Sequence, residues 1–257
     1  MPEREAKLVV TGERPPVVAG EIAGLTRLGG RALRDGGAAA IRDVYLDTPA
    51  GALRARGDSL RVRVQNGRPF LTLKGPGRSV GPGVIERDEL ETPWSPEAYA
   101  RCLDILATRG ISLRPAAPGA DPVDALLAAG LSRAQERETH RRLRYADGGA
   151  GRPVAELAVD EVTYRLAAGA VGHHEVEIEA KAPAGADFLP LAVTELQARF
   201  GSALTPWRHG KLATGLAIER LLASPGGAAM VVDGHLTPAA YPPLAALLSA
   251  GSDASPG

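Results

Sequence analysis

The sequence predicts an α+β fold, an antiparallel β-barrel with helices around its outside. Three observations carry this expectation. Strand-length runs recur with charged and apolar residues in alternation, short turn signals join several of them, and helix-length stretches fall between them. The strand-like runs are 3–10, 41–48, 58–65, 68–75, 84–91, 137–146, 153–166 and 172–181, and the helix-like ones are 16–24, 96–109, 121–130, 186–200 and one near 209–223. Asn66-Gly67 joins two strand-like runs as a hairpin turn would, and Asp147-Gly148-Gly149 does the same later. Pro76 to Gly83 holds several Gly and Pro and reads as a mobile loop. Ser224-Pro225-Gly226-Gly227 reads as a linker, so 1–222 forms the folded domain and 223–257 a weakly ordered tail.

Composition narrows the function. The 257 residues carry 30 Lys+Arg and 30 Asp+Glu, so the formal charge is zero and a general basic coat for a nucleic acid duplex is not expected. Aromatics are only 4%, which leaves Leu, Val, Ile and Ala to fill the core. The single cysteine, Cys102, excludes an intrachain disulfide and a cysteine-based zinc site, and fits a reducing cytoplasm. The charged start lacks a signal-peptide apolar stretch, and no run has the length of a membrane span.

Charge is sorted along the strands. Alternate residues of a strand share a face, so Glu3, Glu5 and Lys7 project together, as do Glu175, Glu177 and Glu179, with Val176 and Ile178 between them suited to an outer apolar layer. Asp160 precedes that second run. Converging carboxylates repel unless a cation sits among them, and an all-oxygen donor set favours Mg²⁺ or Mn²⁺ over zinc. The basic counterparts are Arg61 and Arg63, Lys74, the pair Arg142 and Arg144, and Lys211 at the start of the last helix-like stretch. The run 83–91 offers Arg87 and Glu89 on one face or Glu86 and Asp88 on the other. A planar guanidinium donates two parallel hydrogen bonds to a phosphate, so several Arg and Lys on one cavity suit a polyanion such as a triphosphate. Either kind of run alone would equally make the solvated face of a sheet; two acidic runs with a matching basic set point inward.

The order of these groups resembles the CYTH domain family of triphosphate tunnel metalloenzymes. Glu3-Arg4-Glu5-Ala6-Lys7 is similar to that family's N-terminal signature, Tyr45-Leu46-Asp47-Thr48-Pro49 to its second-strand motif, Leu53 to Arg63 to its Leu-Arg-x-Arg stretch, and Thr72-Leu73-Lys74-Gly75 to its Thr-Leu-Lys-Gly segment. Glu86 to Glu91, Arg142 to Tyr145, Asp160 and Glu175 to Glu179 follow in family order, so the resemblance spans about 1–222. It implies a closed tunnel of about eight antiparallel strands. It implies metal binding by Glu3, Glu5, Asp160, Glu175, Glu177 and Glu179. It also implies triphosphate binding by Lys7, Arg61, Arg63, Lys74, Arg87, Arg142, Arg144 and Lys211. The expected activity is hydrolysis of inorganic triphosphate, thiamine triphosphate or a nucleotide, with Mg²⁺ or Mn²⁺, in a cytoplasmic monomer or homodimer. Glu5, Lys7, Arg61 and Lys74 are the expected catalytic set. Lys7 either positions or activates the attacking water or is a fixed cation in the network. A cyclase making cyclic AMP from ATP and a noncatalytic polyphosphate-binding module are the competing expectations.

Several groups fall outside this set. His173 and His174 read as a surface loop, and His140 shares strand parity with Arg142. Cys102, beside Leu103 and Ile105, reads as a buried structural thiol, and Trp94 and Trp207 as packing residues. The glycines at 75, 77, 81 and 83 are followed by no Gly-Lys-Ser/Thr, so they form no P-loop.

Overall fold

Strand β1 (Glu3–Val10) sets the rule for the whole molecule: Glu5 and Lys7 face the barrel interior, while Ala6 and Leu8 face an outer apolar layer. The computed structural model describes residues 3–81, 84–115, 121–149 and 151–252. Helix α1 (Pro15–Ala23) opens with Pro15 and Pro16 in its first turn, where a missing N–H costs no hydrogen bond. Strand β2 (Arg27–Leu28) turns through Gly29 and Gly30 into β3 (Arg31–Asp47), then α2 (Ala52–Ala55). Strands β4 (Ser59–Gln65) and β5 (Arg68–Lys74) meet at Asn66-Gly67, both at positive φ as a two-residue hairpin requires. Next come β6 (Arg78–Gly81), β7 (Val84–Arg87), β8 (Glu89–Pro93), α3 (Pro96–Thr108) and α4 (Pro122–Ala128). Ser95 and Asp121 cap the two helices by accepting from backbone N–H groups.

The long strands β9 (Ser132–Asp147), β10 (Pro153–Leu166) and β11 (Gly169–Ala180) follow, then α5 (Pro183–Phe200), β12 (Leu204–Pro206) and α6 (Lys211–Leu222). The chain continues with a small hairpin, β13 (Val231–Val232) and β14 (His235–Leu236), and with α7 (Tyr241–Ser252).

The sheet runs β7-β1-β11-β10-β9-β3-β4-β5-β8, and every pair in it is antiparallel. Strands β7 and β8 are separated only by Asp88; one pairs β1 and the other pairs β5. They act as one strand with a step in it, and counted so the barrel closes with eight. The expected barrel with peripheral helices is therefore present.

Helices cover the barrel by burying its outward apolar residues. Helices α1 and α5 lie over Leu8, Leu157, Val176 and Ile178, with Ile22, Phe188 and Leu196 packed on them. Helices α3 and α4 cover Leu60, Val62, Leu71 and Leu73, and the Cys102 thiol is buried there, its pKa pushed up to about 12 by desolvation. Each fully buried Leu or Val is worth about 1.5–3 kcal/mol. The third cluster fills one end of the barrel. Inward Val9, Val162, Tyr164 and Val171 meet Trp207, Ala217, Ile218 and Leu221, so α6 stoppers that end. Gly215 makes the fit possible, since a Cβ there would stand 2.2 Å from Gln135 and 2.6 Å from the Tyr164 ring.

Three expectations are corrected. Strand β3 begins ten residues before 41, held along its length by β9 although Asp35-Gly36-Gly37 lacks any alternation. The loop reading of 76–83 does not hold for Arg78–Gly81, which pairs with β7; Arg78 and Arg4 both grip Glu86 there, and 82–83 lie outside the described residues. The weakly ordered tail does not describe 227–252. Leu236, Ala240, Tyr241 and Leu244 are buried against α6 and Trp207, and Gly172 N–H donates to Gly234 C=O at 2.7 Å. Gly and Pro in this stretch mask the few apolar residues that seat it, Leu236 on β14, Ala240 in the turn after it, and Tyr241 and Leu244 on α7. Residues 253–257 lie outside the described residues.

Candidate functional site

The barrel interior holds a cavity of about 330 Å³ lined mainly by Lys, Arg and Glu. Its acidic floor comes from β10 and β11. Asp160 sits directly opposite Glu175, and Glu177 directly opposite Lys7 of β1. Carboxylate oxygens of Asp160, Glu175 and Glu177 all lie within 4.8 Å of one another. Three cations hold this trio. Arg141 donates from Nε and Nη2 to Asp160 at 2.8 and 2.7 Å, and from Nη2 to Glu177 at 2.7 Å. Lys7 Nζ is 2.8 Å from Glu177. Lys211 Nζ is 3.1 Å from Asp160 and 2.6 Å from Glu177, and it also contacts Glu175.

Burial alone would raise all three carboxylates. Lys211, Lys7 and Arg141 override it at Glu177 and hold its pKa well below the ordinary value; Arg141 and Lys211 lower Asp160. At Glu175 burial wins and the pKa is raised. Lys7 shows the converse: desolvation would lower its pKa, but Glu177, Glu5 and Glu175 raise it, so it stays protonated.

The basic wall comes from β4, β5 and β7. Asp43 lies in the ladder between Arg63 and Arg137, which reach it at 2.9 and 2.5 Å, and all three are buried. Arg61 pairs with Glu91 at 3.3 Å and donates to the Tyr45 hydroxyl at 3.4 Å. Desolvation would raise Tyr45, but Arg137 and Arg61 bring it down to about 8. Lys74 Nζ is 2.8 Å from Glu3 and 3.1 Å from Glu89, and Arg87 holds Glu3 at 2.9 Å and also Glu5. Burial works against the Glu3 charge, yet Lys74 and Arg87 bring its pKa down to about 2.

Most of the expected site residues face this cavity: Glu3, Glu5, Lys7, Arg61, Arg63, Lys74, Arg87, Glu177, Glu179 and Lys211 line it, with Asp160 and Glu175 just beneath. The six expected metal carboxylates divide. Among the described residues only Asp160, Glu175 and Glu177 converge; Glu3 and Glu5 are taken by Lys74 and Arg87, and Glu179 pairs with Lys181 at 2.7 Å near the mouth. The trio fits a hard divalent ion: it is all carboxylate oxygen, two of its members are wholly buried, and a cation already stands among them.

Arg142 and Arg144 do not enter the cavity. Arg144 Nε donates to the Ala23 carbonyl at 2.7 Å on the outer face, and Arg142 lines an outer cleft with His140 and His174. A β-bulge is responsible. Pro153 opposes Asp147 but Ala155 opposes Ala146, so the ladder slips by one and Asp160 faces Arg141 instead of His140. A one-residue slip exchanges the faces of a whole strand. The inward residues of β9 are accordingly Gln135, Arg137, Thr139, Arg141, Leu143 and Tyr145.

The surface-loop reading of His173 and His174 is also corrected: both are buried within β11. His173 faces inward at 3.4 Å from the Tyr164 hydroxyl, and burial lowers its pKa to about 3, while His174 stacks on His235 outside. Sequence reasoning missed Asp43, Arg137, Arg141, Glu91 and Lys181. The signal for the two arginines was the odd-numbered series on β9; for Asp43 it was the even spacing from Tyr45.

A family model described as the CYTH domain matches residues 1–198. No curated protein matches the sequence. Among solved structures, HpAC1 from Hippeastrum, an adenylyl cyclase candidate described as revealing a dominant triphosphatase activity, is 18% identical with a TM-score of 0.53, over 84% of this chain and 95% of that one. The PH1819 protein from Pyrococcus horikoshii OT3 is 20% identical with a TM-score of 0.47, over 85% and 99%. An adenylate cyclase candidate from Bacillus halodurans is 18% identical with a TM-score of 0.48, over 81% and 94%. At these identities the HpAC1 likeness speaks to fold. No helix among the described residues is long and apolar enough to cross a membrane.

Proposed function

This chain belongs to the CYTH domain family, and from that premise we propose that it is a divalent-metal-dependent triphosphatase, cleaving inorganic triphosphate or a related triphosphate to release phosphate. One observation carries the reading: a converging carboxylate trio and a wall of Arg and Lys face each other across one cavity. HpAC1, whose fold this chain shares, is described as a dominant triphosphatase.

Asp160, Glu175 and Glu177 would hold Mg²⁺ or Mn²⁺. When bound, such an ion neutralises phosphate charge and polarises a phosphoryl oxygen. The remaining work belongs to side chains. Arg61, Arg63, Lys74 and Arg87 grip the phosphate oxygens and stabilise charge moving onto the leaving group, which in phosphoryl transfer is most of catalysis. Their present carboxylate partners keep them extended into the cavity. Lys7 acts as a donor that orients the attacking water or a phosphate oxygen, since a lysine held protonated cannot serve as the base.

Hydrolysis is favoured over cyclisation of ATP by the lining. Its apolar and aromatic members are Leu143, Leu212, Ala158, Tyr45 and Tyr145, and Tyr45 is already covered by the Arg137 guanidinium, 4.9 Å from its ring centre. That leaves little surface to hold a purine. The deciding assay gives purified protein Mg²⁺ or Mn²⁺ with triphosphate, thiamine triphosphate or ATP, and reads phosphate, diphosphate and cyclic AMP separately. Phosphate release that stops on metal removal is expected; cyclic AMP as the main product, or no metal dependence, would refute the proposal.

A further inference from the structure

We propose that Lys211 is the resident counter-ion of the Asp160–Glu175–Glu177 trio, and that a divalent ion enters by displacing its ammonium, freeing Nζ to meet a substrate phosphate. This rests on the metal reading above and adds what happens at that site before the metal arrives.

The geometry is exclusive. Lys211 Nζ contacts a carboxylate oxygen of each member, at 3.1 Å for Asp160, at 2.6 Å for Glu177 and also at Glu175. These carboxylates are the same ones that converge within 4.8 Å. A divalent ion needs carboxylate oxygens at about 2.0–2.6 Å, so ion and ammonium cannot share the position. The two cations that reach Asp160 are not equal in mobility. Arg141 enters as a planar fork bound to both Asp160 and Glu177. Lys211 is a point charge on a flexible four-carbon stem, and it stands at the first residue of α6, whose later turns are fixed by Ile218 and Leu221. The stem can swing while the helix stays seated.

A second observation shows that the ammonium leaves the trio incompletely satisfied. Glu175 is wholly buried, and its Oε2 has no hydrogen-bond partner; the neutral His173 ring stands 3.8 Å away at Nε2. A carboxylate oxygen buried without a partner is costly. It belongs to the same carboxylate whose Oε1 meets Lys211, and a doubly charged ion can engage both oxygens of a carboxylate where one ammonium meets one.

The test measures Mn²⁺ binding without substrate, by calorimetry and by the electron paramagnetic resonance of free Mn²⁺, in the wild type, Lys211→Met, Lys211→Gln and Glu177→Gln. Thermal unfolding is followed in each with and without Mn²⁺. Removing a like charge from this range should tighten Mn²⁺ binding by ~10-fold or more. Both Lys211 variants should melt below the wild type when metal-free and regain that loss with saturating Mn²⁺. Equal or weaker binding in the folded Lys211 variants, with wild-type binding intact and lost in Glu177→Gln, overturns this inference and leaves the metal reading standing. A wild type that binds no Mn²⁺, or binds it undiminished in Glu177→Gln, overturns both.

Discussion

Asp160 lies directly across the β9–β10 ladder from Arg141, and the guanidinium closes on its carboxylate with two hydrogen bonds, at 2.8 and 2.7 Å. The neighbour Arg142 points to the other side of the sheet. Arg141→Ala should therefore lower phosphate release by roughly 10–100-fold, the usual loss when a side chain that orients metal-binding carboxylates is removed. Arg142→Ala should leave the rate unchanged. Steady-state assays of the two purified variants decide it, and the reverse ranking would mean that Arg142, not Arg141, faces the cavity.

Asp43 lies between Arg63 and Arg137, and Asp43 and Arg137 are each only 1% exposed. Burial opposes its charge, but Arg137, Arg61 and Arg63 hold its pKa well below the ordinary value. Asp43→Asn would leave buried guanidinium groups without their anion. Breaking such a pair costs about 3–5 kcal/mol, read as a lower midpoint in urea unfolding. Asp35→Asn, on the exposed side of the same strand, should leave the midpoint where it is.

These two cases show how far the sequence could be read. Strand parity located the acids of β1 and β11 and the arginines of β4, because each run alternates without interruption and its apolar positions mark the outer face. In β9 the series Arg141-Arg142-Leu143-Arg144 carries cations on both faces, and parity alone does not choose between them. The choice is made by one extra residue in the neighbouring strand, at the Pro153–Ala155 bulge beside the hairpin turn, which strand parity does not register. Asp43 was hidden for a related reason: its meaning comes from Arg137, 94 positions away. The C-terminal helix was masked by composition, since Gly and Pro around 224–243 outweigh the few apolar residues that seat it.

Glu3 gives a pH signature in metal-free protein. Its ordinary value of 4.5 is opposed upward by burial but brought down to about 2 by Lys74 and Arg87. A carboxylate whose folded pKa lies below its unfolded one stabilises the fold above the unfolded value and loses that contribution as pH falls to the folded one. The melting temperature should accordingly fall between about pH 4.5 and pH 2 more steeply in the wild type than in Glu3→Gln, with the two curves converging at the acid end. Parallel curves across that window would show that the Glu3 ion pairs contribute nothing.

Gly215 sets two physical effects against each other. In an exposed helix interior, replacing Gly by Ala gains about 1 kcal/mol of helix propensity. Here the added methyl would stand 2.2 Å from Gln135 Nε2 and 2.6 Å from the ring of Tyr164, which is wholly buried in the barrel end. Gln135 is a flexible side chain, though its amide donates to the Leu212 carbonyl at 3.2 Å; the Tyr164 ring has nowhere to go. Overpacking of this kind costs about 1–3 kcal/mol, so the clash should outweigh the propensity. The relief available to the chain is a small withdrawal of α6, which carries Lys211 at its first turn away from Asp160, Glu175 and Glu177. Gly215→Ala should therefore lower both the melting temperature and the rate of phosphate release. A variant that melts higher than the wild type would mean that α6 caps the barrel without entering it, and that Lys211 reaches the carboxylates by side-chain length alone.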